Sequence, residues 1–187
     1  QEKLAWNYYR NKGMKLTVVR PANVYGPRSG PWLHDVVNVL RSGSPGLISG
    51  GQMNAGLAYV DNVADILILA GTFEKALGNV YNACDGLDVT WKRYFTDIAN
   101  IIGVGNPKSL PRPLAVLGAY LLEGIYKLLG IKKRPLITRE ALNLVGSDNR
   151  IPIDKIRREL GYEPVISYAE GLKHIREYLH QDSPGKK

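Results

Sequence analysis

The sequence predicts an α/β protein with parallel strands, and three neighbouring features support that fold class. The segment EKLAWNYYRNKG has the periodicity of an amphipathic helix, with Leu4 and Tyr8 on one face and Gly13 at its end. The segment MKLTVVRP follows at once and predicts a strand over Lys15–Arg20, because β-branched residues dominate it and a proline stops it. A helix, a glycine turn and a strand make half of a βαβ unit, which implies a parallel sheet.

Helices and a second short strand, Val80–Ala83, are predicted further along the chain. Residues suited to begin a helix precede four periodic apolar stretches: Asp61, Thr90, Asp154 and Ser167. Glu170 completes a capping box with Ser167. Gly103 and Gly161 are predicted to end helices. Three prolines between residues 107 and 113 predict an extended connector.

Composition narrows the functional class. The chain has 187 residues, of which 44% are apolar and 22% are charged, as in ordinary globular proteins. Cys84 is the single cysteine, so the chain cannot form an internal disulfide, and a cytoplasmic location is expected. The net charge of +8 would suit an anionic partner. The basic residues are scattered, however, and no nucleic-acid motif is present, so nucleic acid is not predicted as a partner.

Catalytic and metal-binding patterns are scarce. His174 and His180 are predicted to be solvated on the last helix, and His34 is predicted to lie on a helix surface. No His and Cys residues have metal-ligand spacing, so no metal site is predicted. The chain contains no G-x-S-x-G, P-loop or G-x-G-x-x-G motif. Residue patterns alone therefore indicate an α/β chain with a stiff Pro/Gly loop after a strand, and they do not identify a function.

Four segments, in order, resemble the extended short-chain dehydrogenase/reductase superfamily, also called the NAD-dependent epimerase/dehydratase family. They are VVRPANVYGPRSG, YVDNVADILILA, GNVYNACDGLDVTWKRYFTDIANIIG and IDKIRRELGYEPVISYAEGLKHIREYL. The likeness covers nearly the whole chain. It implies the C-terminal portion of an NAD(P)-binding Rossmann-type parallel sheet, followed by a mostly helical substrate-binding part.

Within that family the sequence is most similar to the 3-beta-hydroxysteroid dehydrogenase and sterol-4-carboxylate 3-dehydrogenase branch. The long apolar helix over residues 114–129 and the segment GGQMNAGLAYVDNVA carry this resemblance. Sugar-nucleotide enzymes of the family usually have an arginine just before the Y-V pair. Here that neighbourhood is Gly56-Leu57-Ala58. This departure favours a hydrophobic substrate over a sugar nucleotide.

The resemblance assigns roles to the loop after the first strand. Pro21, Ala22 and Val24 are expected to contact the nicotinamide of NAD or NADP, and Asn23 is expected to face the substrate. Loops at the carboxyl ends of parallel strands are where α/β sheets hold ligands. A plain connector between strand and helix is the alternative interpretation.

No catalytic residue is assigned in this chain. Family members use a tyrosine and a lysine four residues apart, and the resemblance puts both upstream of Gln1. Tyr8 and Lys12 have that spacing but lie too close to the strand, so we interpret them as a coincidence. We therefore expect residues 1–180 to form one incomplete domain that lacks the N-terminal nucleotide-binding half, with residues 181–187 as a frayed tail.

The leading functional prediction is the C-terminal part of an NAD(P)-dependent oxidoreductase that acts on a secondary alcohol or ketone, such as a steroid or another hydrophobic small molecule. Two alternatives stay open: a sugar-nucleotide epimerase, dehydratase or reductase, and a non-catalytic NAD(P)-sensing protein. The resemblance is compatible with a homodimer.

The helix over residues 114–129 also raises the question of a membrane. Arg112 precedes it and Lys132-Lys133-Arg134 follow it, as in helices that lie on a bilayer. Glu123 and Lys127 would give it a polar face, and it is short for a membrane span. A helix that packs on the core beside the substrate pocket is therefore favoured over peripheral membrane contact.

Overall fold

The computed structural model describes residues 1–128 and 139–181. Its helices are α1 (Glu2–Lys12), α2 (Asp35–Ser42), α3 (Val60–Thr72), α4 (Trp91–Ile102), α5 (Arg112–Leu128), α6 (Arg139–Val145), α7 (Asp154–Leu160) and α8 (Tyr168–Gln181). Its strands are β1 (Val18–Pro21), β2 (Asn23–Tyr25), β3 (Pro45–Ile48), β4 (Leu57–Tyr59), β5 (Val80–Ala83) and β6 (Lys108–Leu110).

The described strands pair in parallel, which confirms the predicted fold class. β1 pairs with β5, β2 with β4, and β3 with β6. The first strand begins three residues later and ends one residue later than predicted. The Thr17 hydroxyl donates to the Ala76 carbonyl just before it, and Pro21 still pairs with Ala83. The predicted connector over residues 107–113 contains β6. Sequence patterns missed β2, β3, β4 and β6 because these strands are too short to show an alternation.

Glycines end the helices where the sequence predicted. Gly13, Gly103 and Gly161 follow α1, α4 and α7 in the left-handed conformation, with φ of 64°, 69° and 66°. At the start of α4, the Thr90 hydroxyl accepts a hydrogen bond from the Arg93 amide at 3.2 Å. The capping box at α8 is also present, since the Ser167 hydroxyl accepts from the amide of Glu170, whose carboxylate accepts from the Ser167 amide.

Two predicted N-caps are wrong. α3 begins after Tyr59 and α7 after Ile153, neither of which caps the helix through its side chain. Asp61 and Asp154 lie inside the first turns instead, where a carboxylate still interacts favourably with the helix dipole. The amide of Tyr59, the residue that precedes α3, donates a hydrogen bond to the Asp85 carboxylate at 2.7 Å.

The buried apolar residues form two clusters. One lies among α2, α4, α8 and the β2–β4 pair, and its largest members are Tyr25, Leu33, Leu57, Tyr59, Trp91, Tyr94, Ile98 and Ile175. The other joins α3, α7 and β5, and includes Val63, Ile66, Tyr81, Ile156, Leu160 and Tyr162. α1 contributes no buried residue, and its Leu4 side chain is 60% exposed.

The part of α5 whose side chains are described packs on the protein through a narrow face of small residues. Ala115 and Ala119 are buried, whereas the leucines of this stretch face outward. The Glu123–Lys127 pair and the segment Lys132–Arg134 lie outside the described side chains. Gln181 belongs to α8, and the rest of the predicted frayed tail also lies outside the described residues. Among the described helices, none combines the length and apolar composition that a transmembrane segment needs.

Candidate functional site

The chain changes its strand partner at the residues predicted to form a site. The Ala22 amide donates to the Ala83 carbonyl of β5 at 2.9 Å, and the next amide, that of Asn23, donates to the Gly56 carbonyl at 3.0 Å. One residue therefore separates pairing with β5 from pairing with β4. The carboxyl ends of parallel strands diverge at this point, which is the location where open α/β sheets hold ligands.

The four predicted site residues follow each other through this junction. Pro21 is exposed, and Ala22, Asn23 and Val24 are half-buried. Three of them lie in paired strands, so the backbone here is a strand junction and not a free loop. Alternate amides of a strand point to opposite sides. The Val24 amide therefore points away from β4.

The Asn23 side chain is oriented by a neighbouring segment. Its Nδ2 donates to the Ala55 carbonyl at 2.6 Å. Its Oδ1 has no hydrogen-bond partner among the described residues. A half-buried carbonyl oxygen without a partner can accept a hydrogen bond from a ligand. The strand residue predicted to face the substrate thus has one bonded and one available side-chain group.

The Pro/Gly stretch after β2 is a tight turn that lies against the start of α3. Gly26 has a φ of 141°, and a Cβ atom there would lie 2.8 Å from Val60 Cγ1. The Ser29 amide donates to the Gly26 carbonyl at 3.2 Å, and the Ser29 hydroxyl donates to the Val24 carbonyl at 3.0 Å. Glycine is needed at position 26 because the backbone approaches α3 closely there. The bond from the Ser29 hydroxyl holds the turn against the end of β2.

Tyr59 and His174 form a partly buried polar pair that sequence patterns missed. The Tyr59 hydroxyl lies 2.8 Å from Nδ1 of His174 on α8. Burial raises the pKa of Tyr59 to about 12. The prediction that His174 is solvated is wrong, since its ring is half-buried. His34 is bonded too, with Nε2 3.2 Å from the Tyr178 hydroxyl. No local pattern pointed to either pair.

Asp85 is a buried carboxylate at the end of β5. Its Oδ2 accepts a hydrogen bond from the Tyr59 amide at 2.7 Å, and the Tyr162 hydroxyl lies 3.5 Å from its Oδ1. Burial raises the pKa of Asp85 to about 6, although these hydrogen bonds oppose the shift. The position two residues after a predicted strand and directly before Gly86 was the sequence signal that could have identified Asp85.

The segment before β4 has no room for a long side chain. Ala55 is fully buried. Gly56 has a φ of 56°, and a Cβ atom there would lie only 2.4 Å from the Asn149 carbonyl oxygen. Asn149 is held in place because its amide donates to the Asn54 carbonyl at 3.1 Å. The neighbourhood in which sugar-nucleotide enzymes usually carry an arginine is thus filled by the chain itself.

Curated relatives cover most of this chain. A ketoreductase from Stigmatella aurantiaca, named for a 4-hydroxy-2-methyl-3-oxo-4-farnesyl-3,4-dihydroquinoline-1-oxide substrate, is 27% identical over 166 residues, which are 88% of this chain and 49% of the relative. A sterol-4-alpha-carboxylate 3-dehydrogenase (decarboxylating) from Dictyostelium discoideum is 29% identical over 87% of this chain and 50% of the relative. The chain spans about half the length of the curated relatives it matches.

Solved structures share the fold. The UDP-glucose 4-epimerase of Thermotoga maritima, crystallised with UDP-glucose, superposes with a TM-score of 0.66 at 26% identity, over 96% of this chain and 50% of the epimerase. DesIV, a dTDP-glucose 4,6-dehydratase from Streptomyces venezuelae crystallised with NAD, superposes with a TM-score of 0.67 at 22% identity, over 97% of this chain and 48% of that protein. The Rossmann-type α/β architecture is therefore confirmed.

The family model and the relatives indicate the same kind of protein. The model of the NAD dependent epimerase/dehydratase family matches residues 1–84, which hold α1 through β5 and the strand junction. The relatives extend the similarity over the rest of the chain and include members of the predicted sterol dehydrogenase branch. The first 84 residues of this chain are therefore similar to the NAD dependent epimerase/dehydratase family, and most of its length is similar to a ketoreductase and to sterol dehydrogenases.

Proposed function

We propose that this chain is part of an NAD(P)-dependent oxidoreductase that transfers a hydride between a nicotinamide cofactor and a secondary alcohol or ketone of a hydrophobic, steroid-like small molecule. The observation that carries the proposal is the packing at Ala55 and Gly56, where the Asn149 carbonyl fills the space that an arginine would need. A substrate without a diphosphate needs no such cation. The names of the curated relatives, a ketoreductase and two sterol dehydrogenases, agree with this substrate class.

The residues of the strand junction fit a nicotinamide ring. Pro21 and Ala22 offer short apolar side chains at the carboxyl end of β1, so a flat ring can approach the backbone. The Ala22 and Asn23 amides are already bonded within the sheet, which leaves the Val24 amide as the donor for the nicotinamide carboxamide. The cofactor supplies the hydride when it is bound, and these residues hold and orient it.

Asn23 is the proposed substrate contact. Its bond to the Ala55 carbonyl holds the side-chain amide group in one orientation. The available Oδ1 can then accept a hydrogen bond from a hydroxyl group of the substrate. The same side chain is bonded to Ala55 in the segment before β4. The position of that segment therefore affects where Asn23 holds the substrate.

A sugar-nucleotide epimerase or dehydratase is the second candidate. The 26% identity with the Thermotoga maritima UDP-glucose 4-epimerase supports it. The closed packing at Gly56 argues against it, because no arginine side chain can leave the backbone there.

A substrate screen of the full-length protein tests the proposal. We expect reduction or oxidation of hydroxysteroids or their ketones with NAD(H) or NADP(H), measured by the absorbance of the reduced nicotinamide. UDP-glucose should be neither epimerised nor oxidised. Turnover of UDP-glucose without steroid activity would favour the second candidate. Cofactor binding without turnover of any alcohol, ketone or sugar nucleotide would instead favour a sensor.

A further inference from the structure

Asn54 is a buried polar residue that lies shortly before the start of β4, and it is only 4% exposed. Its side-chain Oδ1 accepts a hydrogen bond from the Gly56 amide at 2.7 Å. Its Nδ2 donates to the Leu87 carbonyl at 3.0 Å and to Oδ1 of Asp88 at 3.3 Å. Both ends of the Asn54 amide group are therefore bonded, which fixes the side chain in one orientation.

The bond between the Gly56 amide and the Asn54 side chain forms a tight turn over residues 54–56. In such a turn the side-chain oxygen of asparagine accepts from the amide two residues later, in place of a backbone carbonyl. Gly56 has a φ of 56°, a conformation that glycine adopts at the lowest cost. The turn determines the direction in which the carbonyl groups of Ala55 and Gly56 point.

These two carbonyl groups hold Asn23. The Ala55 carbonyl accepts from Nδ2 of Asn23 at 2.6 Å, and the Gly56 carbonyl accepts from the Asn23 amide at 3.0 Å. Both the side chain and the backbone of Asn23 are thus bonded to the two residues that follow Asn54. A change in the shape of the turn would move both bonds together.

The backbone on either side of the turn is held by other segments. The Asn54 carbonyl accepts from the Asn149 amide at 3.1 Å, and the Ala55 amide donates to the Val89 carbonyl at 2.8 Å. These bonds do not involve the Asn54 side chain. Truncation of that side chain should therefore change the turn while the segment stays attached to its neighbours.

We propose that Asn54 is a positioning residue for the reaction, which orients the side chain of Asn23 towards the substrate through the turn of residues 54–56. Asn54 itself does not contact the substrate, because its own amide group is buried and bonded. The inference rests on the proposed role of Asn23 as the substrate contact. It predicts that the two asparagines act as one unit in the kinetics.

A double-mutant cycle in the full-length enzyme tests the proposal, with a hydroxysteroid and NAD(P) as the reactants. Asn23→Ala and Asn54→Ala should each lower kcat/KM by about fivefold to tenfold, and the affinity for NAD(P) should stay nearly constant. The double variant should lose no more than about tenfold, because the second change removes nothing further. Losses that multiply in the double variant would show independent residues and would overturn the proposal.

A conservative variant separates the turn from the other bonds of Asn54. Asn54→Asp keeps the oxygen that accepts from the Gly56 amide, but it loses the donor to Leu87 and places a carboxylate beside Asp88. It should therefore lower the urea midpoint of unfolding and keep kcat/KM within about twofold of the unmodified enzyme. A loss of kcat/KM as large as that of Asn54→Ala would overturn the proposal.

Asn62→Ala is the matched control. Asn62 is fully buried, and both ends of its side chain are bonded to the backbone of Ile166. This variant should lower the urea midpoint but leave kcat/KM unchanged, because the lost bonds are not at the turn. If it lowers kcat/KM as much as Asn54→Ala does, general loss of stability explains both effects and the proposal is overturned.

Stability separates this inference from the proposed function. If the full-length protein turns over no alcohol or ketone, the proposed function fails and the urea midpoints decide the inference. Shifts of Asn23→Ala and Asn54→Ala that do not add in the double variant would support the link between the two residues. Shifts that add would overturn it.

Discussion

The Tyr59 hydroxyl lies 2.8 Å from Nδ1 of His174, and this contact joins the end of β4 to α8 across 115 residues of sequence. Tyr59 also directly precedes α3, and its amide donates to the Asp85 carboxylate. A single buried tyrosine therefore connects the strand junction, α3 and the C-terminal helix. The contribution of each of these residues to the stability of the protein can therefore be measured by substitution.

Replacement of Tyr59 by phenylalanine should lower the free energy of unfolding by about 1 kcal/mol, because it removes one hydrogen bond and keeps the ring packing. Urea denaturation measures the change. Tyr8→Phe is the control, since Tyr8 is about half exposed on α1 and should change stability by less than about 0.5 kcal/mol. Equal effects of the two variants would mean that the bond to His174 contributes nothing.

The pH dependence of stability should contain a contribution from Asp85. Its pKa in the folded protein, about 6, lies above the ordinary value of 3.8, so protonation favours the folded state. This contribution is complete below about pH 4 and is lost as the pH rises through about 6. It amounts to about 3 kcal/mol.

Asp85→Asn should therefore remove the fall in stability between about pH 4 and pH 6, and should leave the bond from the Tyr59 amide in place. Urea denaturation across this pH range is the measurement. Asp35→Asn, an exposed position on α2, serves as control and should keep the slope of the unmodified protein. A variant at Asp85 with an unchanged slope would contradict the assignment.

Gly56→Ala should destabilise the protein by more than about 2 kcal/mol. The alanine would adopt a φ of 56° and place its Cβ 2.4 Å from the Asn149 carbonyl oxygen. Gly103→Ala is the matched control. Gly103 has a similar φ of 69° but nothing within 4 Å of the added Cβ, so only the backbone strain of about 1 kcal/mol remains. Thermal or urea unfolding of both variants measures the change in stability. Equal decreases in the free energy of unfolding would show that the segment around Asn149 moves away from the added Cβ at no cost.

Asn23→Ala in the full-length enzyme should raise KM or lower kcat while the affinity for NAD(P) stays nearly constant. Loss of one hydrogen bond to the substrate corresponds to about 1 kcal/mol. Asn38→Ala, at an exposed position of α2, is the control. Equal losses of cofactor binding and activity would assign Asn23 to the nicotinamide. Unchanged kinetic constants would show that Asn23 contacts neither the substrate nor the cofactor.

A polypeptide of residues 1–187 by itself should bind NAD and NADP weakly and should self-associate. Among the described residues β1 pairs only with β5, and α1 has no buried side chain, so apolar surface and a strand edge stay open. Calorimetric titration and light scattering measure both properties. A monodisperse monomer that binds NAD with micromolar affinity would show that these residues form a complete site.

Local sequence determined the parts of the fold that depend on neighbouring residues. The ends of α1, α4 and α7 follow from Gly13, Gly103 and Gly161, because glycine adopts positive φ at the lowest cost. The start of α8 follows from Ser167 and Glu170, whose side chains reach only the nearest amides. The parallel pairing of β1 and β5 followed from the order of helix and strand.

The tertiary structure alone decided what depends on distant residues. The short strands β2 and β4 form only because their backbones meet, 34 residues apart, from Asn23 to Leu57. Asp61 does not cap α3, because the helix begins at Val60 and Asp61 therefore lies inside its first turn. His174 on α8 is half-buried because Tyr59 contacts it from the end of β4. The apolar periodicity of α5 specified that the helix has two faces, but only packing determined that Ala115 and Ala119 face inward and the leucines outward.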